Sequence, residues 1–164
     1  FLLGFEESYG YLTGSYVRDK DGVDGAYMIC EMFSYYATQG ISLLDKLDEL
    51  YKIYGYCLNT LHSYEFDGSA GFARMQSIMQ AFRGGIKEFG GKKVVRLLDY
   101  VQGLDGLPKS DVLKFLLEDN CSLVVRPSGT EPKLKIYISV SAENKEMAEE
   151  VEDEIAKTAE KWIC

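Results

Sequence analysis

The stretch Arg126-Pro127-Ser128-Gly129-Thr130-Glu131-Pro132-Lys133 decides how the second half of this 164-residue chain folds. Apolar and polar residues alternate on both sides of it, over 121–126 and again over 133–140. An alternation with a period of two residues is typical of half-buried strands. We therefore predict two strands joined by a short polar loop that carries a proline near each end.

The residues of this loop suit a phosphate dianion. Arg126 offers a bidentate guanidinium, Ser128 and Thr130 offer hydroxyl donors, and Gly129 lets backbone N–H groups come close to a ligand. The alternative is a tight turn that its own serine and threonine cap. The residues alone leave both interpretations open.

The loop resembles the phosphate-binding loop in the last domain of the α-D-phosphohexomutases, the phosphoglucomutase/phosphomannomutase superfamily. A second stretch, Gly4-Phe5-Glu6-Glu7-Ser8-Tyr9-Gly10, resembles the sugar-binding loop of that family. The two stretches stand in the family's order, and the resemblance covers this chain but only the C-terminal part of the family. It implies that a phosphate group is bound by Arg126, Ser128, Gly129 and Thr130.

The resemblance also implies a sugar-binding role for Glu6 and Ser8, which would hold the O3 and O4 hydroxyls. A carboxylate and a hydroxyl two residues apart on a loop can project the same way. Glu7 fills the variable place between them, and a glutamate there with an aromatic residue after Ser8 resembles the glucose-type enzymes. Without the resemblance, the Glu6–Glu7 pair favours an acidic surface loop.

Lys20 lies in Arg18-Asp19-Lys20-Asp21-Gly22, which resembles an Arg-Glu-Lys-Asp-Gly stretch of the glucose-type enzymes. The resemblance implies that Lys20 points into the active site and helps to bind the phosphosugar. The alternative is a solvated charged turn that leads into a helix, with Asp21 or Asp24 as its N-cap.

Several residues near these stretches receive no direct role. Lys133 and Lys135 share one face of their strand and either add positive potential or are exposed strand lysines, which we favour for Lys135. Glu131 is expected to order the loop, because a carboxylate repels phosphate. His62 has no acidic partner that the sequence identifies, so we assign it no catalytic role.

Composition excludes several classes of function. The net charge of −8 disfavours nucleic acid as a partner, and no apolar run approaches the roughly 20 residues of a membrane span. The four cysteines are widely spaced, which predicts free thiols, no metal site and a cytoplasmic location. The chain opens on Phe1-Leu2-Leu3, as if within a strand, so we expect it to continue a longer protein.

The periodicities predict an α+β fold with helices on one face of a sheet. We place one domain at 1–57 and a second at 58–164, with a hinge in the patternless segment 56–61. The resemblance implies the tail of an α/β/α domain followed by a TATA-binding-protein-like α+β domain. Predicted helices cover 24–38, 42–54, 69–83 and 143–162, and predicted strands cover 1–5, 62–66, 92–100, 113–117 (strand or helical turn), 121–126 and 133–140.

By resemblance, the full-length enzyme interconverts glucose 1-phosphate and glucose 6-phosphate, with glucose 1,6-bisphosphate as intermediate or activator. The family's phosphoserine loop (Thr-x-Ser-His-Asn-Pro) and metal loop (Asp-x-Asp-x-Asp) do not occur in this sequence. Mg²⁺ would therefore bind to other domains of the full-length chain, and this segment alone would be inactive. The alternatives are a phosphomannomutase, a phosphopentomutase or a non-catalytic phosphosugar-binding module.

Overall fold

The computed structural model describes residues 1–6 and 9–163. They divide into two compact units, unit 1 (Phe1–Ile53) and unit 2 (Tyr54–Cys164). The boundary that the sequence suggested, after residue 57, lies a few residues further along, inside a strand of unit 2. The assignment of the two segments to particular family domains stays a prediction.

Unit 1 begins with a two-stranded antiparallel sheet, β1 (Leu3–Glu6) and β2 (Gly10–Thr13). The sequence predicted a loop throughout 6–22, which is wrong for β2. Two helices follow, α1 (Gly22–Ala37) and α2 (Leu43–Tyr54), as predicted. Their starts are capped by side chains, which satisfy N–H groups that have no partner within the helix.

Both helix caps were visible in the sequence. The Asp21 carboxylate accepts hydrogen bonds from the backbone N–H groups of Val23 and Asp24, at 2.9 and 3.1 Å. Before α2, the Asp45 carboxylate accepts from the backbone and the hydroxyl of Ser42, while the Ser42 hydroxyl accepts from the N–H of Asp45. This reciprocal arrangement is the predicted capping box, with aspartate in place of the usual glutamate.

Unit 2 contains a six-stranded antiparallel sheet with the strand order β3-β8-β7-β6-β5-β4. Two helices supply the second layer, so the α+β class is confirmed. The short strand β4 was not predicted. The elements are β3 (Tyr56–Glu65), α3 (Gly68–Arg83), β4 (Glu88–Phe89), β5 (Lys92–Asp99), β6 (Leu113–Leu117), β7 (Ser122–Pro127), β8 (Lys133–Ala142) and α4 (Lys145–Glu160).

The core of unit 2 lies between one face of this sheet and the two helices. Strand β8 shows the predicted alternation, since every second residue from Leu134 to Val140 is fully buried. Phe82 of α3 meets Phe89 and Phe115 there, and the last two rings are 5.1 Å apart. On α4, Ile155 is buried as expected, but Met147 is 43% exposed. Trp162, which lies beyond the end of the helix at Glu160, is also 43% exposed, so the predicted orientation of both side chains is wrong.

The segment 56–61 is not the patternless linker that the sequence suggested. It forms the first part of β3, and each of its residues pairs with a residue of β8 between 137 and 142. A hinge inside it would break this ladder of backbone hydrogen bonds, so the predicted hinge position is wrong. Gly55, just before the strand, has φ of +86°, a value that glycine adopts without strain.

None of the helices in the described part of the chain combines the length and the apolar character that a bilayer crossing requires.

Candidate functional site

The loop between β7 and β8 is closed by backbone hydrogen bonds at its base. The N–H of Ser128 donates to the carbonyl oxygen of Lys133 at 2.7 Å. The N–H of Lys133 donates to the carbonyl oxygen of Glu131 at 2.8 Å. The strands pair in a register that sets Arg126 opposite Lys135. The predicted strand–loop–strand unit is therefore confirmed, and its base holds the loop in a defined shape.

This loop forms the floor of an open concavity of about 470 Å³, which we call the phosphate concavity. Its volume lies within the range of small-molecule sites. All four residues predicted to bind phosphate line it, and so do both strand lysines. The lining residues are Arg126, Pro127, Ser128, Gly129, Thr130, Glu131, Lys133 and Lys135.

The charges around the phosphate concavity favour an anion. The exposed guanidinium of Arg126 makes no hydrogen bond or ion pair with any side chain or backbone group that the structure describes. Lys135 stands directly opposite it on β8, and like charges on directly opposite strand residues repel. Lys135 is thus part of the wall of the concavity, a place that our preference for a simple exposed lysine missed.

The hydroxyl of Ser128 organises the loop from within. It accepts from the N–H groups of Thr130 and Glu131 at 3.4 and 3.3 Å, and it lies 3.5 Å from the hydroxyl of Thr130. The loop is therefore a serine-capped turn, as the alternative interpretation required. These contacts are longer than a typical N–H···O bond, so a stronger acceptor can replace the serine oxygen.

Gly129 has no structural reason of its own to be glycine. A Cβ built on it would meet no atom within 4 Å, and its φ lies outside the left-handed region. Other residues would fit here, so the fold alone does not require this choice. Close approach of a ligand to the backbone N–H groups would require it.

Strand β3 holds the far end of the loop. The N–H of Phe66 donates to the carbonyl oxygen of Pro132 at 2.9 Å, and the ammonium of Lys133 lies 2.8 Å from a carboxylate oxygen of Glu65. This pairing lowers the pKa of Glu65 and raises that of Lys133. The sequence analysis missed the role of Glu65, because the sequence does not show which strand pairs with residue 65. The β3–β8 register sets Glu65 opposite Lys133.

In unit 1 the candidate sugar-binding residues Glu6 and Lys20 come together. Their charged groups are 2.8 Å apart, and the pKa of Lys20 is raised, chiefly by its hydrogen bond to Glu6. Ser8 and Glu7 lie outside the described residues. Gly10, which the sequence analysis did not single out, makes the pair possible, because a Cβ there would lie 2.5 Å from atoms of both side chains.

His62 does have an acidic partner. Its Nε2 lies 2.7 Å from a carboxylate oxygen of Glu152 on α4, and the hydroxyl of Thr60 donates to the same oxygen at 2.6 Å. The cluster joins β3 to α4, which is a structural role. Within the described residues, no group of three or more His, Cys, Asp or Glu side chains is placed to hold a metal ion.

The part of the chain that contains this site matches a known protein family. Residues 66–158, more than half of the chain, match the family described as "Phosphoglucomutase/phosphomannomutase, C-terminal domain". The chain belongs to the phosphoglucomutase/phosphomannomutase family. The matched range contains the whole phosphate concavity, and the family resemblance drawn from the two sequence stretches is thereby confirmed.

Relatives within the phosphoglucomutase/phosphomannomutase family extend the match into unit 1. The phosphoglucomutase of Staphylococcus aureus strain MSSA476 is 37% identical over 155 residues, which cover 87% of this chain and 28% of that protein. The phosphoglucomutase of Staphylococcus epidermidis strain ATCC 35984 is 32% identical over 168 residues, covering 94% and 31%. The chain therefore spans less than a third of the length of these curated relatives.

A solved structure of the same family supports the fold. The open form of the exocytosis-sensitive phosphoprotein pp63/parafusin, a phosphoglucomutase from Paramecium, aligns with 98% of this chain and 29% of its own. The TM-score is 0.60 at 20% sequence identity. At that identity the likeness concerns the fold alone.

Proposed function

We propose that this chain is the C-terminal part of a phosphoglucomutase that interconverts glucose 1-phosphate and glucose 6-phosphate. In this proposal the segment positions the substrate, and groups elsewhere in the longer protein carry out phosphoryl transfer. The observation that carries the proposal is the phosphate concavity, where the guanidinium of Arg126 has no partner among the described residues. Family membership supplies the reaction class.

Binding of the non-reacting phosphate is assigned to the loop. Arg126 would donate two parallel hydrogen bonds to the dianion, which are stronger than bonds between neutral groups. The hydroxyls of Ser128 and Thr130 and the N–H groups beside Gly129 would complete the shell. Lys133 and Lys135 line the same space and add positive potential.

The sugar-binding role is assigned to Glu6, Ser8 and Lys20. The Glu6 carboxylate accepts hydrogen bonds and the Lys20 ammonium donates them, so the pair can exchange its mutual contact for contacts to sugar hydroxyls. Both side chains are partly exposed, which keeps the cost of that exchange low. The role of Ser8 rests on the family resemblance.

The bisphosphorylated intermediate, glucose 1,6-bisphosphate, explains why one phosphate site is enough. It must turn around between the two half-reactions, so the phosphate concavity has to accept either end of the sugar. Its contacts are to the phosphate group, which is the same at both ends. Positioning of this kind contributes to catalysis by holding the acceptor hydroxyl close to the phosphoryl donor.

Metal chemistry is assigned to residues outside this chain. The described residues do not fit a divalent cation, as they hold no suitable cluster of ligands. We propose that other domains of the longer protein hold Mg²⁺, and that the protein works in the cytoplasm. The 164-residue chain alone should show no mutase activity.

The test is titration of the 164-residue chain with inorganic phosphate, followed through the backbone amide NMR signals of the loop. Arg126→Ala should weaken binding at least about tenfold, because a charge-assisted bidentate pair contributes roughly 1.5–3 kcal/mol. Arg96→Ala is the matched control, since it removes an exposed arginine of the same unit that lies on β5. Equal effects of the two substitutions would refute a specific phosphate site.

Substrate preference is the second part of the proposal. The family description covers phosphomannomutases too, so mannose phosphates are the competing substrates. Comparison of kcat/KM for glucose 1-phosphate and mannose 1-phosphate in the full-length protein decides between them. Arg126→Ala should lower both values at least about tenfold if the phosphate is held as proposed.

A further inference from the structure

Four charged residues stand in two rows on one face of the sheet beside the phosphate concavity. Glu65 of β3 is directly opposite Lys133 of β8, and Lys135 of β8 is directly opposite Arg126 of β7. Directly opposite residues point to the same face, as do residues two apart on one strand. One row therefore pairs a cation with an anion, while the other brings two cations together.

Lys133 lines two neighbouring concavities. It lines the phosphate concavity, and it also lines a neighbouring concavity of about 240 Å³ whose wall includes Glu65. Its ammonium lies 2.8 Å from the Glu65 carboxylate, on the side of β8 that faces β3. Glu131 lines both spaces as well.

We propose that Glu65 lowers the affinity of the phosphate site by holding Lys133 in an ion pair. The inference rests on the proposed phosphate-binding function and assigns to it a residue outside the phosphate concavity. While Glu65 is charged, the ammonium of Lys133 is shared with a carboxylate, and a dianion in the concavity must compete for it. The raised pKa of Lys133, due chiefly to Glu65, is consistent with that pairing.

A weakened site has a use in the proposed reaction. The bisphosphorylated intermediate has to release its phosphate from the concavity, turn around and bind again. Binding that holds every state more tightly does not speed the chemical step. An ion pair that competes with the ligand therefore favours exchange while leaving Arg126 to fix the position of the phosphate.

The test is the inorganic phosphate titration of the 164-residue chain at pH 8 and low ionic strength, where the ligand is a dianion. Glu65→Gln should tighten binding about three- to fivefold, the size expected for a partly exposed ion pair. Glu88→Gln is the matched control, because Glu88 is exposed on β4 at the opposite edge of the sheet. It should change affinity less than about 1.5-fold, since the distant charge is largely screened.

A double-mutant cycle shows whether Glu65 acts through Lys133. In the Lys133→Gln background, Glu65→Gln should give no further gain. If Glu65 only supported the structure of the loop, Glu65→Gln would damage the loop and weaken binding. A gain in affinity therefore distinguishes the proposed role from a structural one. An unchanged or weaker affinity in Glu65→Gln, or an equal gain in both backgrounds, overturns the inference.

The outcome for Arg126 separates this inference from the proposed function. If Arg126→Ala abolishes binding while Glu65→Gln leaves it unchanged, the phosphate site stands and the role of Glu65 fails. If the unsubstituted chain shows no saturable binding of phosphate, the proposed function and the role of Glu65 fail together.

Discussion

Units 1 and 2 contain similar kinds of apolar residues but bury them to different extents. In unit 2 the apolar side chains of the sheet and the helices form one buried cluster, with Phe82, Phe89 and Phe115 fully enclosed. Among the described residues of unit 1, only Gly10 and Gly25 are buried. Unit 2 therefore has a core of its own, whereas unit 1 has helices and a small sheet without one.

Helix α1 shows what this difference means. Val23, Tyr27 and Phe33 are 82%, 65% and 57% exposed, while Met28 and Met32 lie along an apolar groove. A helix that is apolar on several sides is normally enclosed by other elements. Exposed apolar area of this extent marks a surface that packs against something else. The prediction that unit 1 is the tail of a larger α/β/α domain would account for this exposure, and it stays a prediction.

The largest expected effect follows from separating the units. A chain of residues 54–163 should unfold in one cooperative transition, because the buried cluster lies entirely within it. A chain of residues 1–53 should show no cooperative transition and should bind a hydrophobic dye. Circular dichroism and dye fluorescence during heating measure both properties.

Fluorescence of Trp162, the single tryptophan, follows unit 2 in the intact chain. Its transition there should coincide with that of the isolated chain of residues 54–163. A cooperative transition in residues 1–53 alone would contradict the comparison, since it would require a core that the structure does not contain.

Deletion of the same aromatic ring in each unit should give unequal results. Phe115→Ala removes a fully buried ring, so it should lower the free energy of unfolding of unit 2 by about 3–5 kcal/mol. Phe33→Ala removes a ring that is 57% exposed, and it should change that value by less than about 0.5 kcal/mol. Denaturant titrations followed by Trp162 fluorescence provide both numbers, and similar losses would show that unit 1 packs more tightly than its exposure indicates.

The sequence predicted unit 2 better than unit 1 for the same physical reason. Strands β7 and β8 each bury one face, so the two-residue alternation is clear, and the predicted ranges 121–126 and 133–140 differ from the observed strands by at most two residues at any end. Strand β3 was recognised only near its end. Its residues 56–61 alternate between half-buried and exposed states and include polar residues such as Asn59 and Thr60, which weakens the pattern.

The candidate site was predictable where its residues are consecutive and not where they come from different strands. Arg126 and Thr130 lie in one short loop, so a single stretch of sequence shows them. Glu65 reaches the loop through the pairing of β3 with β8, and Glu152 reaches His62 from helix α4. Both partners are far away in the sequence, and only the register and the packing bring them close.

A smaller effect is expected from the carboxylates whose pKa is lowered. The hydrogen bond from Arg83 is the main cause that lowers the pKa of Asp99 below its ordinary value of 3.8. The resulting stabilisation is complete above that ordinary value and is lost as the pH falls through the lower, folded-state value. Asp99→Asn should cost unit 2 about 1–2 kcal/mol at pH 7, and the cost should shrink below about pH 3.8.

Asp45→Asn makes the same change of charge in unit 1. The pKa of Asp45 is also lowered, chiefly by the hydroxyl of Ser42. Because α2 contributes nothing to the buried cluster, this substitution should leave the Trp162 transition unchanged at every pH. A pH-dependent loss of equal size in both variants would show that the two units unfold together.

The smallest effect concerns the cost of carrying a binding site on the unit that has a core. Arg126 makes no ion pair with a described residue and stands opposite Lys135, whose like charge opposes it. In phosphate-free buffer, Arg126→Ala should therefore raise the free energy of unfolding by about 0.2–0.5 kcal/mol. Arg96→Ala should not raise it, because strand pairing sets Arg96 opposite the uncharged Leu116.

With saturating phosphate the unsubstituted chain should instead be more stable than Arg126→Ala. The reason is that a ligand that binds only the folded chain stabilises the unsubstituted protein more. A loss of stability in Arg126→Ala without phosphate would mean that the guanidinium supports the fold, and its assignment to the ligand would then be wrong.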